Sequence, residues 1–277
     1  MRPISRRRHS AWLGVVPDAL VTLALFVAPL AVLIAYSFGK QSALDFSISI
    51  DGSLRQYRLL LSPLYRPTFL RSFRLAAFTS AACLAVALPL AMAVVQFSAR
   101  WRRVGLALVV FPSFVSFIVR TYAWVGLLGK GGQLGGLHLL YQTGGVAIGM
   151  VHAYLPLSFL PLYTALERIA PSLQEAASDL GARPWKRFRT ITLPLTAPGI
   201  VVAVSLVGIL AVGEFTTPAV LGGGKTLLLG NLLAAQAAGS NRPLGGAIAT
   251  MLLAVFLVLG GISALLYRRL RFVMGEM

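Results

Sequence analysis

Two charged residues interrupt long apolar runs, and they are the side chains best placed to do chemistry in this sequence. Arg120 and Glu214 stand among hydrophobic neighbours, where a charge is costly unless it is paired or faces water. Glu214 has the chemistry to attract a cationic solute, and the rings of Tyr122 and Trp124 offer faces for cation–π contact. The alternative is an Arg120–Glu214 ion pair that only satisfies two buried charges, since straight helices would place both at similar depth. Both interpretations stay open.

Groups that would catalyse a reaction or bind a metal are missing from the sequence. Gly224-Lys225-Thr226 is like the end of a phosphate-binding loop, but that loop needs a further glycine where this chain has Ala219. Scattered histidines and a single cysteine provide neither a metal-binding cluster nor a disulfide. We therefore predict that the chain is not an enzyme, that it holds no metal and that it has no cofactor of its own.

Composition places the chain in a membrane. Hydrophobic residues make up 57% of the sequence and charged residues only 12%, unlike the mixture found in a soluble domain. A spanning helix needs about 20 mainly apolar residues, because the hydrocarbon core is roughly 30 Å thick. The segments that meet this length are residues 17–38, 73–97, 104–128, 145–166, 196–221 and 244–267. We predict an all-α integral membrane protein with six transmembrane helices.

The basic residues predict the orientation of these helices. The net charge of +17 would suit a nucleic-acid partner, but the basic residues flank apolar runs, so we predict a membrane surface and no nucleic acid. Arginines cluster before the first span, between the second and third, and after the sixth, which predicts that both termini are cytoplasmic. Residues 1–16 then form a cytoplasmic segment, residues 17–277 a single transmembrane domain, and residues 39–72 an excursion on the outer side.

A hydrophilic loop, residues 167–195, separates the fourth and fifth spans and is expected in the cytoplasm. We predict two short helices joined at Gly181, which suits a left-handed C-terminal cap, with Pro184 at the first position of the second helix. Ser172 and Glu175 have the spacing of a capping box. Local physics alone allows a well-capped surface loop as readily as a functional one.

The residues of this loop also carry a resemblance. Glu175-Ala176-Ala177, followed by Gly181 and by Ile191-Thr192-Leu193-Pro194, resembles the EAA loop of binding-protein-dependent ATP-binding cassette (ABC) importers. The resemblance implies a type I permease fold, an inner-membrane location and a coupling helix seated in a cleft of a partner ATPase. It assigns these residues to ATPase coupling: Glu175, Ala176, Ala177, Leu180 and Gly181. The two alanines would permit close approach, and Leu180 would fill an apolar pocket.

Further segments narrow the resemblance to permeases of spermidine/putrescine transport systems. They are residues 119–124, 214–218, 222–232 and 241–245. Leu88, Glu214 and Arg242 differ from the residues usual in that group. The resemblance implies that this permease domain translocates a small solute, most of all a polyamine. It also implies the partners, which are a second permease, two copies of a cytoplasmic ATPase that binds the ATP, a periplasmic substrate-binding protein and the lipid bilayer.

A self-sufficient secondary transporter of a small cation is the alternative from another class. Such a protein normally has coupling-ion carboxylates near the membrane midplane and often an internal repeat. Neither is evident in this sequence. An ABC importer permease is therefore the predicted function.

Overall fold

Helices dominate the computed structural model, which describes residues 8–42 and 47–275. The helices are α1 (Arg8–Ser37), α2 (Arg55–Leu60), α3 (Arg66–Val95), α4 (Ala99–Val110), α5 (Phe117–Leu128), α6 (Thr143–Glu167), α7 (Pro171–Asp179), α8 (Pro184–Arg187), α9 (Leu193–Val212), α10 (Thr216–Leu221), α11 (Leu229–Ala235) and α12 (Arg242–Gly275). The strands are β1 (Gly39–Gln41) and β2 (Ile48–Ile50). Short 3₁₀ turns occupy Phe111–Phe114 and Gly135–Leu137, and π-helical turns occupy Phe188–Thr192 and Gln236–Ser240.

The long apolar helices confirm the predicted membrane fold, with one crossing broken. Among the described residues, five helices are long and apolar enough to span a membrane: α1, α3, α6, α12 and the helix Pro184–Val212, which runs from α8 through α9. α4 and α5 meet the same test only together, and they are bent by 95° at their junction. Counted as one broken span, this pair brings the crossings to six.

The prediction of one continuous third span is wrong at residues 111–116. After α4 the chain makes a 3₁₀ turn, and Val115 and Ser116 then adopt extended backbone with ψ of 138° and 134°. Pro112 explains the end of α4, because proline has no N–H to donate and its ring crowds the preceding helical turn. Residues on both sides of the break are apolar, so hydropathy alone gives no sign of it.

The fifth predicted span also ends early. α9 stops at Val212, residues 213–215 are not helical, and α10 begins at Thr216. Phe215, the residue before α10, has a non-helical backbone with φ of −131° and ψ of −27°. Because Arg120 follows a break and Glu214 lies within one, the similar depths expected from straight helices do not apply to them.

Contacts divide the chain into two compact units. The first comprises Met1–Leu64 and Ala235–Met251. The second comprises Tyr65–Ala234 and Leu252–Met277. The first therefore contains α1, the hairpin, α2 and the beginning of α12, while the second contains the helices and loops that follow up to α11 and the remainder of α12.

The hairpin and α2 form a small folded cap at the end of α1 in the first unit. β1 and β2 pair antiparallel, with Gly39 opposite Ile50. Gln56 of α2 donates a side-chain hydrogen bond to the Gly39 carbonyl oxygen at 3.2 Å, and the Tyr57 hydroxyl donates to the Ser37 hydroxyl at 2.7 Å. The segment predicted as an outer excursion is thus partly folded, and α3 begins before the predicted start of the second span.

An exposed ion pair and a close helix contact complete the first unit. Lys40 Nζ lies 2.5 Å from Asp51 Oδ2, and the hydrogen bond from Lys40 holds the pKa of the Asp51 carboxyl below its ordinary value. A side-chain carbon built on Gly246 would lie 2.7 Å from the Leu33 carbonyl oxygen. A glycine at this point of α12 therefore lets it approach the backbone of α1.

The second unit has its core where α3, α6 and α9 pack together. The buried residues of this core are Ala87, Ala91, Val94, Phe159, Leu162, Tyr163, Leu166 and Ala203. Small residues at such contacts let helix backbones approach, which favours association within a membrane. α10 packs on α5 and α6, and its residues Thr217 and Leu221 lie beside Gly149 in the first half of α6.

Gly199 lies at a close approach of α9 to α6 and gives a test of this packing. A side-chain carbon there would lie 2.6 Å from Ala165 Cβ and 2.8 Å from the Pro161 carbonyl oxygen. We expect Gly199→Val to lower the unfolding temperature of the detergent-purified subunit, because overpacking costs about 1–3 kcal/mol. Gly260→Val is the matched control, since nothing lies within 4 Å of the corresponding position in α12. Equal unfolding temperatures for the two variants would contradict this account of the packing.

Candidate functional sites

The first candidate site is α7, and its start differs from the prediction. Ala170 precedes the helix in an extended conformation and Pro171 occupies the first helical position, without a side-chain cap. The predicted capping box of Ser172 and Glu175 is therefore wrong. Pro171 has the φ that a helix requires and no N–H that needs a cap, so the helix starts two residues earlier than the capping box predicts and Ser172 falls inside it.

The end of α7 agrees with the prediction of a glycine cap. Gly181 has φ of +73°, a backbone conformation that glycine adopts without steric cost. Its N–H donates to the Ser178 carbonyl oxygen at 2.8 Å, and the Ala182 N–H donates to the Ala177 carbonyl oxygen at 2.9 Å. These two bonds form a Schellman motif. Pro184 begins α8, as predicted.

One side of α7 carries an exposed apolar stripe. Leu173, Ala176, Ala177 and Leu180 follow the i, i+3, i+4, i+7 spacing that places side chains on one helical face. The Leu180 side chain is 88% exposed and Leu173 is also exposed. Glu175 is exposed on the neighbouring face. This apolar stripe therefore has no cover from the described part of the chain.

Two side-chain hydrogen bonds attach another side of α7 to the helix that follows. Gln174 Nε2 donates to the Thr192 hydroxyl at 3.1 Å, and Arg187 Nη1 donates to the Ser178 hydroxyl at 2.5 Å. A cleft of about 580 Å³ lies behind α7, against the last turns of α3 and α6. The helix is thus tethered to α8 and to the π-helical turn while its apolar stripe points away.

Arg102 joins three helix ends near the point where the hydrophilic loop begins. Its Nη1 lies 3.3 Å from Glu167 Oε1, and its Nη2 donates to the Val95 carbonyl oxygen at 2.8 Å. The Tyr163 hydroxyl also donates to Glu167 Oε1, at 2.8 Å. These contacts hold the ends of α3 and α6 and the start of α4 together, directly before α7.

Trp185, which the sequence analysis did not single out, adds a large exposed ring to this end of the molecule. Its side chain is 66% exposed. It stacks on Phe188 with ring centroids 5.4 Å apart, and the Arg189 guanidinium lies 5.9 Å from its centroid. The sequence signal for this exposed ring is a Trp followed by basic and aromatic residues within a hydrophilic loop.

The second candidate site surrounds Glu214, whose carboxylate is buried and fully engaged. The residue is 8% exposed. Its Oε1 accepts hydrogen bonds from the backbone N–H groups of Thr216 and Thr217 at 2.9 Å and 3.0 Å, and its Oε2 accepts one from the Tyr154 hydroxyl. Glu214 therefore caps the start of α10 and ties it to α6, which stabilises the helix restart.

Arg120, Tyr122 and Trp124 share α5 but have different surroundings. The Arg120 guanidinium lies 5.6 Å from the Phe117 ring centroid. Trp124 packs edge-on against His152 of α6, with centroids 5.6 Å apart, while Tyr122 is exposed. Within the described chain, Arg120 and Glu214 form no ion pair. Glu214 therefore bonds to Tyr154, Thr216 and Thr217. It does not form the ion pair with Arg120 that the sequence left open as an alternative.

The arrangement of helices and loop matches a known family. A family profile described as "Binding-protein-dependent transport system inner membrane component" matches residues 84–272, a range that includes α7, Arg120 and Glu214. This chain belongs to that family. As a binding-protein-dependent transport component it is an ABC importer permease that crosses the inner membrane several times, which confirms the predicted function and location.

Curated relatives of this transport component are permeases rather than enzymes. The "Spermidine/putrescine transport system permease protein PotB" of Haemophilus influenzae is 30% identical over 272 residues, covering 93% of this chain and 94% of the relative. The protein of the same description from Escherichia coli is 32% identical over 77% of this chain and 82% of its own length. The "sn-glycerol-3-phosphate transport system permease protein UgpA" of Shigella flexneri is 29% identical over 71% of each chain.

Solved structures of transporters share the fold of this transport component. A chain of a bacterial alginate ABC transporter in complex with an alginate pentasaccharide-bound periplasmic protein aligns with a TM-score of 0.72, covering 95% of this chain and 96% of that one at 15% identity. A chain of the MetNI methionine ABC transporter in an inward-facing conformation aligns with a TM-score of 0.59 at 19% identity. It covers 79% of this chain and 99% of the other.

Proposed function

We propose that this permease translocates a polyamine, spermidine or putrescine, across the inner membrane. The observation that carries the proposal is the 30% identity to a spermidine/putrescine permease over 93% of this chain. That similarity covers more of the chain than the family profile, which matches residues 84–272. A relative named for sn-glycerol-3-phosphate covers less of the chain, at 71%, so a cationic cargo has the stronger support.

The permease works within a larger assembly in this proposal. It pairs with a second permease, and two copies of a cytoplasmic ATPase bind and hydrolyse the ATP, so no cofactor is needed in this chain. A periplasmic binding protein delivers the solute on the other side. Arginines near both ends of the chain and in the first turns of α4 support a cytoplasmic placement of both termini and of α7.

The apolar stripe of α7 is the ATPase contact in this proposal. Ala176 and Ala177 allow close approach, and the exposed Leu180 side chain enters an apolar pocket of the ATPase. Gly181 turns the chain directly after Leu180, the last residue of the apolar stripe. Glu175 supplies a charge at the edge of the stripe. Exposure of Leu180 supports this assignment, because a large apolar side chain that no other part of the chain covers favours a protein contact.

The half of the membrane that contains α10 forms the start of the solute pathway in this proposal. Glu214 lies just before α10, and in this proposal the charge of its carboxylate favours entry of a cation. Tyr122 and Trp124 provide aromatic faces on the neighbouring helix α5. Arg120 lies on the same helix and would repel a polyamine, so its charge requires a neutralising partner.

Uptake by proteoliposomes that contain the complete transporter tests the cargo. With ATP at the ATPase side, we expect accumulation of labelled spermidine or putrescine, competed by unlabelled polyamine and unaffected by sn-glycerol-3-phosphate. A transporter assembled with a hydrolysis-deficient ATPase is the control for ATP dependence. Accumulation of sn-glycerol-3-phosphate without any polyamine uptake would overturn the proposed cargo and leave the importer function unchanged.

A further inference from the structure

The short helix α2 has an exposed face on which leucines and arginines are separated. Helical hydrogen bonding continues one residue beyond each end of α2. The Arg58 N–H donates to the Leu54 carbonyl oxygen at 3.1 Å, and the Leu61 N–H donates to that of Tyr57 at 3.2 Å. With about 3.6 residues per turn, Leu54 and Leu61 lie about 20° apart around the helix, and Arg55 and Arg58 lie about 60° apart beside them. These two leucines and two arginines are all exposed, and we call them the α2 face.

The opposite side of α2 attaches the helix to the end of α1. Gln56 and Leu60 are buried on that side, and the Tyr57 hydroxyl donates to the hydroxyl of Ser37, the last residue of α1. Ser37 also ends an apolar stretch of 18 residues that begins at Leu20. At about 1.5 Å per residue this stretch is roughly 27 Å long, close to the thickness of the hydrocarbon core. α2 therefore lies where α1 leaves the hydrocarbon.

The arginines of the α2 face have no partner in the part of the chain that the structure describes. Neither the Arg55 nor the Arg58 guanidinium takes part in an ion pair or a hydrogen bond there. Within residues 39–42 and 47–61 the only acid is Asp51, which pairs with Lys40. This part of the cap thus has a surplus of positive charge. Any partner of the α2 face must offer negative charge beside the arginines and an apolar medium beside the leucines.

We propose that the α2 face lies in the membrane surface, where Arg55 and Arg58 bind the phosphates of phospholipid headgroups and Leu54 and Leu61 enter the adjoining acyl chains. A phospholipid monolayer offers these two media side by side, and helices that combine basic and leucine-rich sides occupy its interface. A guanidinium suits a phosphate because two of its N–H groups can bind two oxygens at once. With both termini in the cytoplasm, as proposed above, this leaflet is the periplasmic one.

A docked protein is the alternative occupant, and the composition of the α2 face argues against it. The residues that dominate protein–protein contacts are enriched in Trp and Tyr and poor in Leu, whereas the α2 face has two leucines and no aromatic ring. The aromatic residue of α2 points elsewhere, because the Tyr57 ring lies 5.7 Å from the ring of Phe38 and its hydroxyl binds Ser37. A tyrosine at the end of a span is typical of the membrane interface.

Contact with lipid would give α1 an anchor that packing within this chain does not provide. The apolar stretch of α1 is almost entirely exposed, so few side-chain contacts fix the depth of this helix. Headgroup binding by Arg55 and Arg58 holds α2 at the level of the phosphates. The hydrogen bonds from Gln56 to Gly39 and from Tyr57 to Ser37 then connect α2 to the end of α1. The depth of α1 in the bilayer therefore depends on the α2 face.

Spin labels on the purified subunit in nanodiscs test this contact. The chain has a single cysteine, Cys83, which is buried, so a label reacts at an introduced cysteine. In phosphatidylethanolamine with phosphatidylglycerol, labels at Leu54→Cys and Leu61→Cys should collide more with oxygen, which dissolves in lipid, than with a water-soluble nickel complex. We expect an oxygen-to-nickel ratio severalfold above that of Arg183→Cys, an exposed control position before α8.

Charge reversal shows whether the arginines hold the face in the lipid. With Arg55→Glu and Arg58→Glu together, the label at Leu61→Cys should lose most of its excess oxygen contact, because carboxylates and phosphates repel each other. Arg55→Lys with Arg58→Lys should retain that contact. The unfolding temperature in detergent should be the same for all these variants, since the replaced guanidinium groups have no partner in the described chain. If the glutamate pair fails to fold, Arg55→Gln with Arg58→Gln should show a smaller loss of oxygen contact.

Three results would overturn the proposal. The first is a nickel contact at Leu54→Cys and Leu61→Cys as high as at Arg183→Cys. The second is an oxygen contact that survives the removal of both positive charges. The third is protection from nickel that appears only when a loaded binding protein is added, which would assign the α2 face to that protein.

Discussion

Replacing Leu180 by aspartate is expected to abolish ATP-driven uptake while the permease itself stays folded. The side chain is 88% exposed at the end of the apolar stripe of α7, so the substitution removes no contact within the subunit. Burying a leucine at an ATPase contact contributes about 1.5–3 kcal/mol, which corresponds to roughly tenfold to hundredfold in affinity. Desolvating the introduced carboxylate adds to that loss. ATPase recovered with the purified permease, and solute uptake, are the measurements.

Ser172→Asp is the matched control for this substitution. It introduces the same charge on α7 but outside the apolar stripe, at an exposed position near the start of the helix, where a carboxylate interacts favourably with the helix dipole. Recovery of ATPase and uptake should both remain close to wild type. If Leu180→Asp bound the ATPase and transported as well as Ser172→Asp, the coupling role of the apolar stripe would be wrong.

Glu214→Ala is the second substitution with a large expected effect, and here the subunit itself is destabilised. It removes the acceptor for the Tyr154 hydroxyl and for the N–H groups of Thr216 and Thr217. Each buried donor left without an acceptor costs roughly 1–3 kcal/mol. We expect a clearly lower unfolding temperature for the purified subunit, local release of α10, and uptake reduced more than tenfold.

Glu214→Gln separates the structural role of this residue from its charge. The amide oxygen can still accept from the Thr216 and Thr217 N–H groups, and the amide NH₂ can donate to the Tyr154 oxygen, so most of the stability should return. Uptake of a cation should stay reduced because the negative charge is gone. Normal uptake by Glu214→Gln would remove Glu214 from the pathway, and wild-type stability of Glu214→Ala would contradict its role as a cap.

Hydropathy and short motifs were sufficient to predict the membrane fold, the number of crossings and the family. Length and apolarity are properties of a segment, and a one-dimensional sequence displays them directly. The turn at Gly181 was equally accessible, because a left-handed cap has a strong residue preference. The start of α7 was not, since Pro171 and the Ser172–Glu175 spacing both indicated a helix start and the proline prevailed.

Both breaks within the membrane were missed because apolar composition continues through them. Pro112 was a cue for the first break, but prolines also occur inside α3 and α6 without ending those helices, so proline alone does not identify a break. At the second break Glu214 was interpreted as a pathway charge or half of an ion pair. Its use as a cap depends on Tyr154, a residue distant in sequence that only the folded α6 brings near.

α6 is more buried and less apolar than the other long helices, and this has a consequence for its insertion during biosynthesis. Its most apolar stretch is more than half buried within this chain, while that of α1 is almost entirely exposed. Lipid alone can therefore accept α1 as it leaves the translocon. α6 is the least apolar of these spans and draws more on protein neighbours. Because α3 is synthesised earlier, it is already available as a partner when α6 emerges, whereas α9, the other core helix that packs on α6, follows later.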